Sequence, residues 1–92
     1  MYNISLERGN LYIFTWLDAV SDSSWKKIEL AEVESPVLAK TVGWFLNEDD
    51  KCIRTVSSVT DDKVNKEVSM DIIPKGMIVN IELVRKDKLD FD

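Results

Sequence analysis

Leu11-Tyr12-Ile13-Phe14-Thr15-Trp16-Leu17 is an uncharged run of aliphatic, aromatic and β-branched residues. Residues of these types fit a pleated strand. Side chains alternate across a strand, so Leu11, Ile13, Thr15 and Leu17 share one face, and Tyr12, Phe14 and Trp16 share the other. Both faces are apolar. A strand of this kind is either covered on both sides or uses one face to meet another chain. Arg8-Gly9-Asn10 in front of it is a turn signal.

The rest of the chain is punctuated as strands joined by short polar turns. Residues 21–34 read either as a helix of one or two turns, capped by Asp22 or Ser23 and starting near Trp25, or as irregular loop. Pro36 ends that segment. Residues 37–46 predict a second strand, with Leu38, Val42, Trp44 and Leu46 on one side and Gly43 marking a bulge or a close backbone approach. After the turn Asn47-Glu48-Asp49-Asp50, residues 52–59 predict a third strand. Ile53 and Val56 lie there in opposite phase, so the pattern leaves the register open. Residues 67–73 alternate, which predicts Val68, Met70 and Ile72 inward and Glu67, Ser69 and Asp71 outward. Ile73-Pro74-Lys75-Gly76 suits a type I turn with Gly at its fourth position. In the last strand Met77, Val79, Ile81 and Leu83 alternate with Ile78, Asn80, Glu82 and Val84. The expected fold is mostly β: a small antiparallel five-stranded SH3-like barrel or rolled sheet with one short helical insertion.

A chain of 92 residues and 10.6 kDa forms one domain, because half of it is too short to bury a core. Residues 1–92 are therefore read as a single domain, with 86–92 as a frayed acidic tail. Twelve basic against seventeen acidic residues give a net charge of -5, which argues against a duplex nucleic-acid binder. With one cysteine, Cys52, no internal disulfide is possible. No signal peptide and no apolar stretch long enough to span a bilayer is seen, so the expected setting is the cytoplasm, without a membrane partner.

The chemical inventory argues against an enzyme. There is no histidine, the commonest general base and metal ligand. No Gly-rich phosphate loop occurs. Cys52 sits in a strand pattern and reads as a buried small hydrophobe. Glu48-Asp49-Asp50 lacks the alternating spacing that wraps ligands around calcium and reads as a solvated turn. No cofactor and no metal site is expected. The stretch Trp16-Leu17-Asp18-Ala19-Val20-Ser21-Asp22-Ser23-Ser24-Trp25 is the densest chemistry in the chain. Its indoles can stack on bases, and its hydroxyls and Asp18 can hydrogen-bond a ligand edge. The competing reading puts Trp16 in the core, Asp18 and Ser21 in a turn, and Ser23 at a helix cap. Lys26, Lys27, Lys40, Arg54 and Lys75 are either cations for an anionic ligand or ordinary solvated charges.

Trp16-x-Asp18-Ala19-x-Ser21-x-x-x-Trp25, Pro36, Thr41-Val42-Gly43 and Ile73-Pro74-Lys75-Gly76-x-Ile78 together resemble a group of small phage-encoded proteins. The resemblance runs from about Trp16 to Ile81. Some small phage proteins of this size are sponges of the anti-CBASS type, which sequester cyclic nucleotide signals of bacterial defence. The resemblance implies that role as an expectation: immune evasion in the host cytoplasm by binding a cyclic dinucleotide without catalysis. The candidate ligand-binding residues are Trp16, Asp18, Ser21, Trp25, Lys26, Arg54 and Lys75. A chain this small has little room for a cavity, so the pocket is expected between subunits of a homo-oligomer. The alternative is an acidic phage accessory protein that binds and inhibits a host protein.

Overall fold

In the computed structural model, which describes residues 4–18 and 24–92, five strands form one antiparallel sheet. They are β1 (Leu11–Asp18), β2 (Val37–Glu48), β3 (Cys52–Val59), β4 (Val68–Pro74) and β5 (Ile78–Arg85). A one-turn helix, α1 (Ile28–Ala31), lies between β1 and β2, and a 3-10 turn (Lys75–Met77) links β4 to β5. The strand order is β4-β3-β2-β1-β5. β4 and β5 are thus opposite edges of the sheet, yet only three residues separate them. So short a link forces the sheet to roll until its edges approach each other. It is a rolled sheet, not a closed barrel, because β4 and β5 do not pair.

The core fills the inside of the roll. Tyr12, Phe14, Phe45, Ile53, Ile73, Ile78 and Ile81 are buried together, with Ile4, Leu6 and Trp16 packed against them. Tyr12 stacks edge-on to Phe45 with ring centroids 6.4 Å apart, and its hydroxyl accepts the Glu7 backbone N–H at 2.8 Å. The Tyr12–Phe14–Trp16 face of β1 therefore turns inward. The Leu11–Ile13–Thr15–Leu17 face turns outward and is half-buried. In register, Ile13 and Leu17 pair with Val42 and Leu38, which extends that outer apolar face across β2. Gly43 answers its sequence expectation as a close approach: a Cβ there would meet the Thr55 side chain at 3.1 Å.

Three expectations are corrected. In β4 the phase is reversed: Ile73 is buried, while Val68, Met70 and Ile72 are exposed. Ile73 pairs with buried Ile53, and Ile72 with Arg54, so the core side is set by the strand partner and not by the longest alternation. In β5 the alternation is broken by a register shift opposite Thr15 and Trp16, which puts both Ile78 and Ile81 in the core. Val56 explains the mixed phase of β3. It is fully buried but stands outside the main core cluster, paired with Trp44 on the other face.

The tail is the third correction. Residues 86–92 are strapped to the start of the chain. The Leu89 N–H donates to the Gly9 carbonyl at 2.9 Å, and Trp44 Nε1 donates to Asp87 at 2.9 Å. Arg8 pairs with Asp92 at 3.1 Å and lies 5.4 Å from the Phe91 ring centroid. Leu89 and Phe91 are half-buried there, alternating with exposed Lys88, Asp90 and Asp92.

Candidate functional site

β1 and β2 pair rung by rung up to Asp18 opposite Val37. The chain leaves the sheet at that rung and returns to it, and the described residues 24–36 before β2 form an arm at that end of the β1–β2 hairpin. Ala19, Val20, Ser21, Asp22 and Ser23 lie outside the described residues; the candidate site residue Ser21 and the proposed caps Asp22 and Ser23 are among them. From Ser24 onward the arm contains the predicted short helix. Its N-cap position is Lys27, with no side-chain cap, and it buries no residue. A four-residue helix without a cap or a packed face has little intrinsic stability. Here the ion pair between Lys26 and Glu34, at 2.7 Å, closes the segment across the helix.

Trp25 stands at the head of this arm and is 101% exposed. Asp18, at the arm's base, is exposed too. Trp16 behaves differently. It packs against the core, and its indole N–H donates to Thr41 Oγ1 on β2 at 3.0 Å. Trp16 is therefore held within the fold, half-buried, and supports the hairpin. Of the three tryptophans, only Trp25 is fully exposed.

The remaining candidates, Arg54 and Lys75, belong to the opposite end of the β2 strand. Arg54 on β3 reaches Asp49 at 2.9 Å and Asn47 at 3.1 Å. Lys75, in the 3-10 turn, pairs with Glu48 at 2.6 Å, and its backbone N–H bonds to the Lys51 carbonyl at 2.8 Å. Asp49 organises this turn. Its carboxylate accepts the backbone N–H groups of Lys51 and Cys52 and then the Arg54 guanidinium, which together hold its pKa well below the ordinary carboxylate range. The turn Asn47-Glu48-Asp49-Asp50 is thus a self-contained network, and Cys52 contributes a contact to Asp49 at 3.7 Å.

The six candidates among the described residues therefore separate. Trp25, Lys26 and Asp18 belong to the arm, Trp16 to the hairpin packing, and Arg54 and Lys75 to the β2–β3 turn. Lys27, next to Lys26 and exposed, completes the arm group. The arm also exposes Ile28, Leu30 and Val33; their loose helical spacing is visible in the sequence, but their exposure is not. Among the described residues no group of three or more ligating side chains could hold a metal ion. No helix among them is long and apolar enough to cross a membrane. No family model, curated protein or solved structure matches the chain.

Proposed function

We propose that this protein is a non-catalytic binding protein that sequesters a cyclic dinucleotide signal, in keeping with its resemblance to small phage proteins and with the host cytoplasm as its setting. The observation that carries the reading is the wholly exposed indole of Trp25 beside two lysines. An indole wholly in water adds nothing to the stability of its own chain. Stacked on a base it contributes roughly 1–3 kcal/mol. Lys26 and Lys27 stand next to it for a phosphate. The Lys26–Glu34 pair does not preclude this, because an ion pair at the surface is worth only about 0–1 kcal/mol and is readily exchanged for a phosphate. The net charge of -5 repels the ligand at a distance, so attraction must come from these cations within about one Debye length, roughly 8 Å at physiological salt.

A thermal-melt screen of the full chain against cyclic di- and trinucleotides tests the reading. A ligand at 100 times its Kd stabilises a folded protein by about 2.7 kcal/mol, which moves the melting temperature by on the order of 10 °C in a domain of this size. A rise of that order with one member of the panel is the expected outcome. Absence of any shift at ligand concentrations of about 100 µM removes the sponge reading.

A second reading is favoured by the aliphatic part of the arm. Ile28, Leu30 and Val33 are not needed for nucleotide stacking, and their exposure suits an acidic accessory protein that occludes a host protein. That reading predicts no nucleotide shift, and tight binding to one host protein that Val33→Glu abolishes.

A further inference from the structure

The chain carries two apolar surfaces that do not cover each other. One is the arm, where Ile28 and Val33 are 72% and 75% exposed and Leu30 is 59% exposed. The other is the outer strip of the β1–β2 hairpin, where Leu38 and Val42 stand exposed beside half-buried Ile13 and Leu17. The strip also ends in open backbone. β3 pairs with β2 only from Trp44 onward, so among the described residues no strand lies along the other edge of Val37–Val42. An apolar strand edge of that kind invites association. The molecule is elongated to match, measuring 54 × 31 × 22 Å. Its radius of gyration of 16.5 Å compares with about 12 Å for a compact domain of this length.

We infer that a second copy of this chain covers these surfaces, with the arm of each protomer laid on the outer strip of the other about a twofold axis. Three observations select a second copy over a foreign partner. Both halves of the contact are present on one chain, and a twofold buries all four surfaces in a single arrangement. The charges are complementary: Glu29 and Glu32 lie among the apolar residues of the arm, where Glu34 is already paired with Lys26, and Lys40 lies between Leu38 and Val42 on the strip. The area is sufficient, since the aliphatic side chains of arm and strip expose on the order of 500 Å² per chain. Two chains then bury about 1,000 Å², the lower bound of a specific interface. That size makes the dimer weak and its population concentration-dependent. The inference does not depend on the nucleotide reading, because the residues it uses exclude Trp25 and the experiment contains no ligand.

Sedimentation or light scattering of the full chain tests it. The expected mass rises from 10.6 kDa toward twice that value between about 1 and 500 µM and stops there. Val33→Glu on the arm and Leu38→Glu on the strip should each hold the mass at the monomer value with unchanged circular dichroism, since both side chains are exposed. Mixing the two variants restores one intact arm-on-strip contact, so heterodimer should reappear with a Kd between those of the wild type and the single variants. A wild-type mass that stays at 10.6 kDa throughout overturns the inference. So does growth beyond the dimer without limit, which marks an open contact. So do single variants that dimerise like wild type. Failure of the mixture to associate overturns the arm-on-strip geometry.

Discussion

The indole N–H of Trp44 donates to the Asp87 carboxylate at 2.9 Å, joining the middle of β2 to the C-terminal tail across 43 residues of sequence. Arg85 reaches the same carboxylate. The tail is therefore part of the folded unit and closes over the turn at Gly9. A chain ending at Lys86 loses the Asp87, Leu89 and Asp92 contacts together, and its melting temperature should fall by several degrees. Trp44→Phe keeps the ring and removes only the N–H, so its loss should be smaller. Scanning calorimetry of the two variants checks the order; a truncated chain that melts like the full one would mean that the strap contributes nothing.

The tail also decides what the glycines do. Gly9 has φ +87°, and a Cβ there would sit 2.5 Å from the Leu89 carbonyl oxygen. Gly9→Ala thus combines an unfavourable backbone conformation with a steric clash and should cost more than about 1 kcal/mol. Gly76 gives the opposite result. The turn signal Ile73-Pro74-Lys75-Gly76 makes Gly76 look indispensable, but its φ is not positive and nothing lies within 4 Å of a Cβ built there. Gly76→Ala should leave stability unchanged or raise it by about 0.4–1 kcal/mol through the unfolded chain, and Gly76→Val should be close to neutral. Urea midpoints of the three variants separate these cases.

Much of the fold is legible in the sequence, because strand content follows from residue type and from the polar turns between runs. β1 is the clearest case: its two apolar faces are both present, one in the core and one as the outer strip. What the sequence conceals is phase. In β4 the pattern Val68-x-Met70-x-Ile72 is longer than the single Ile73 that turns inward, and only the pairing of Ile73 with Ile53 reveals the core side. Of the site, the division between Trp16 and Trp25 is legible, because Trp25 lies off the strand alternation and is the exposed one, whereas Trp16 lies on it and packs against the core; the partner that holds Trp16 is not. Thr41, which takes the Trp16 N–H, lies 25 residues away.

That phase has a direct consequence for stability. Ile73 is 2% exposed and belongs to the core cluster, whereas Ile72 is 61% exposed. Ile73→Ala should cost about 2–5 kcal/mol through lost burial and the cavity left behind. Ile72→Ala should stay within about 0.5 kcal/mol of the wild type. Equal losses in chemical denaturation would restore the phase that the alternation suggests.

Acid should act on two carboxylates. Asp49 is held ionised by the Lys51 and Cys52 N–H groups and by Arg54. Asp87 is lowered by Arg85 first and by Trp44 second. Unfolded aspartate titrates near 3.9. Because the folded pKa values are depressed, the unfolded chain binds more protons in this range, so the stabilisation is full above about pH 5 and is lost as the pH falls. With no histidine in the chain, the melting temperature should be flat between about pH 6 and 8 and decline below about pH 4. Asp49→Asn should flatten the acid limb; an unchanged limb in that variant would assign acid sensitivity elsewhere.

The tryptophans separate folding from binding. Trp25 has no packed surface to lose, so Trp25→Ala should leave the melting temperature of the ligand-free protein unchanged and abolish the nucleotide-dependent shift. Trp16→Ala removes a ring packed on the core and its bond to Thr41, and should cost about 3–5 kcal/mol whether or not a ligand is present. Asp18→Asn should weaken binding if the carboxylate accepts an exocyclic amine of the base, with stability unchanged because the side chain is exposed. Lys26→Ala should weaken binding and reduce its salt dependence, as expected for loss of a phosphate contact. Arg54→Ala and Lys75→Ala act through the β2–β3 turn, so they should lower stability and spare the salt dependence of binding. Titration of the Trp25→Ala protein with the nucleotide found in the melt screen is the deciding measurement. Full affinity there would move the site off the arm and leave the exposed indole to a protein partner.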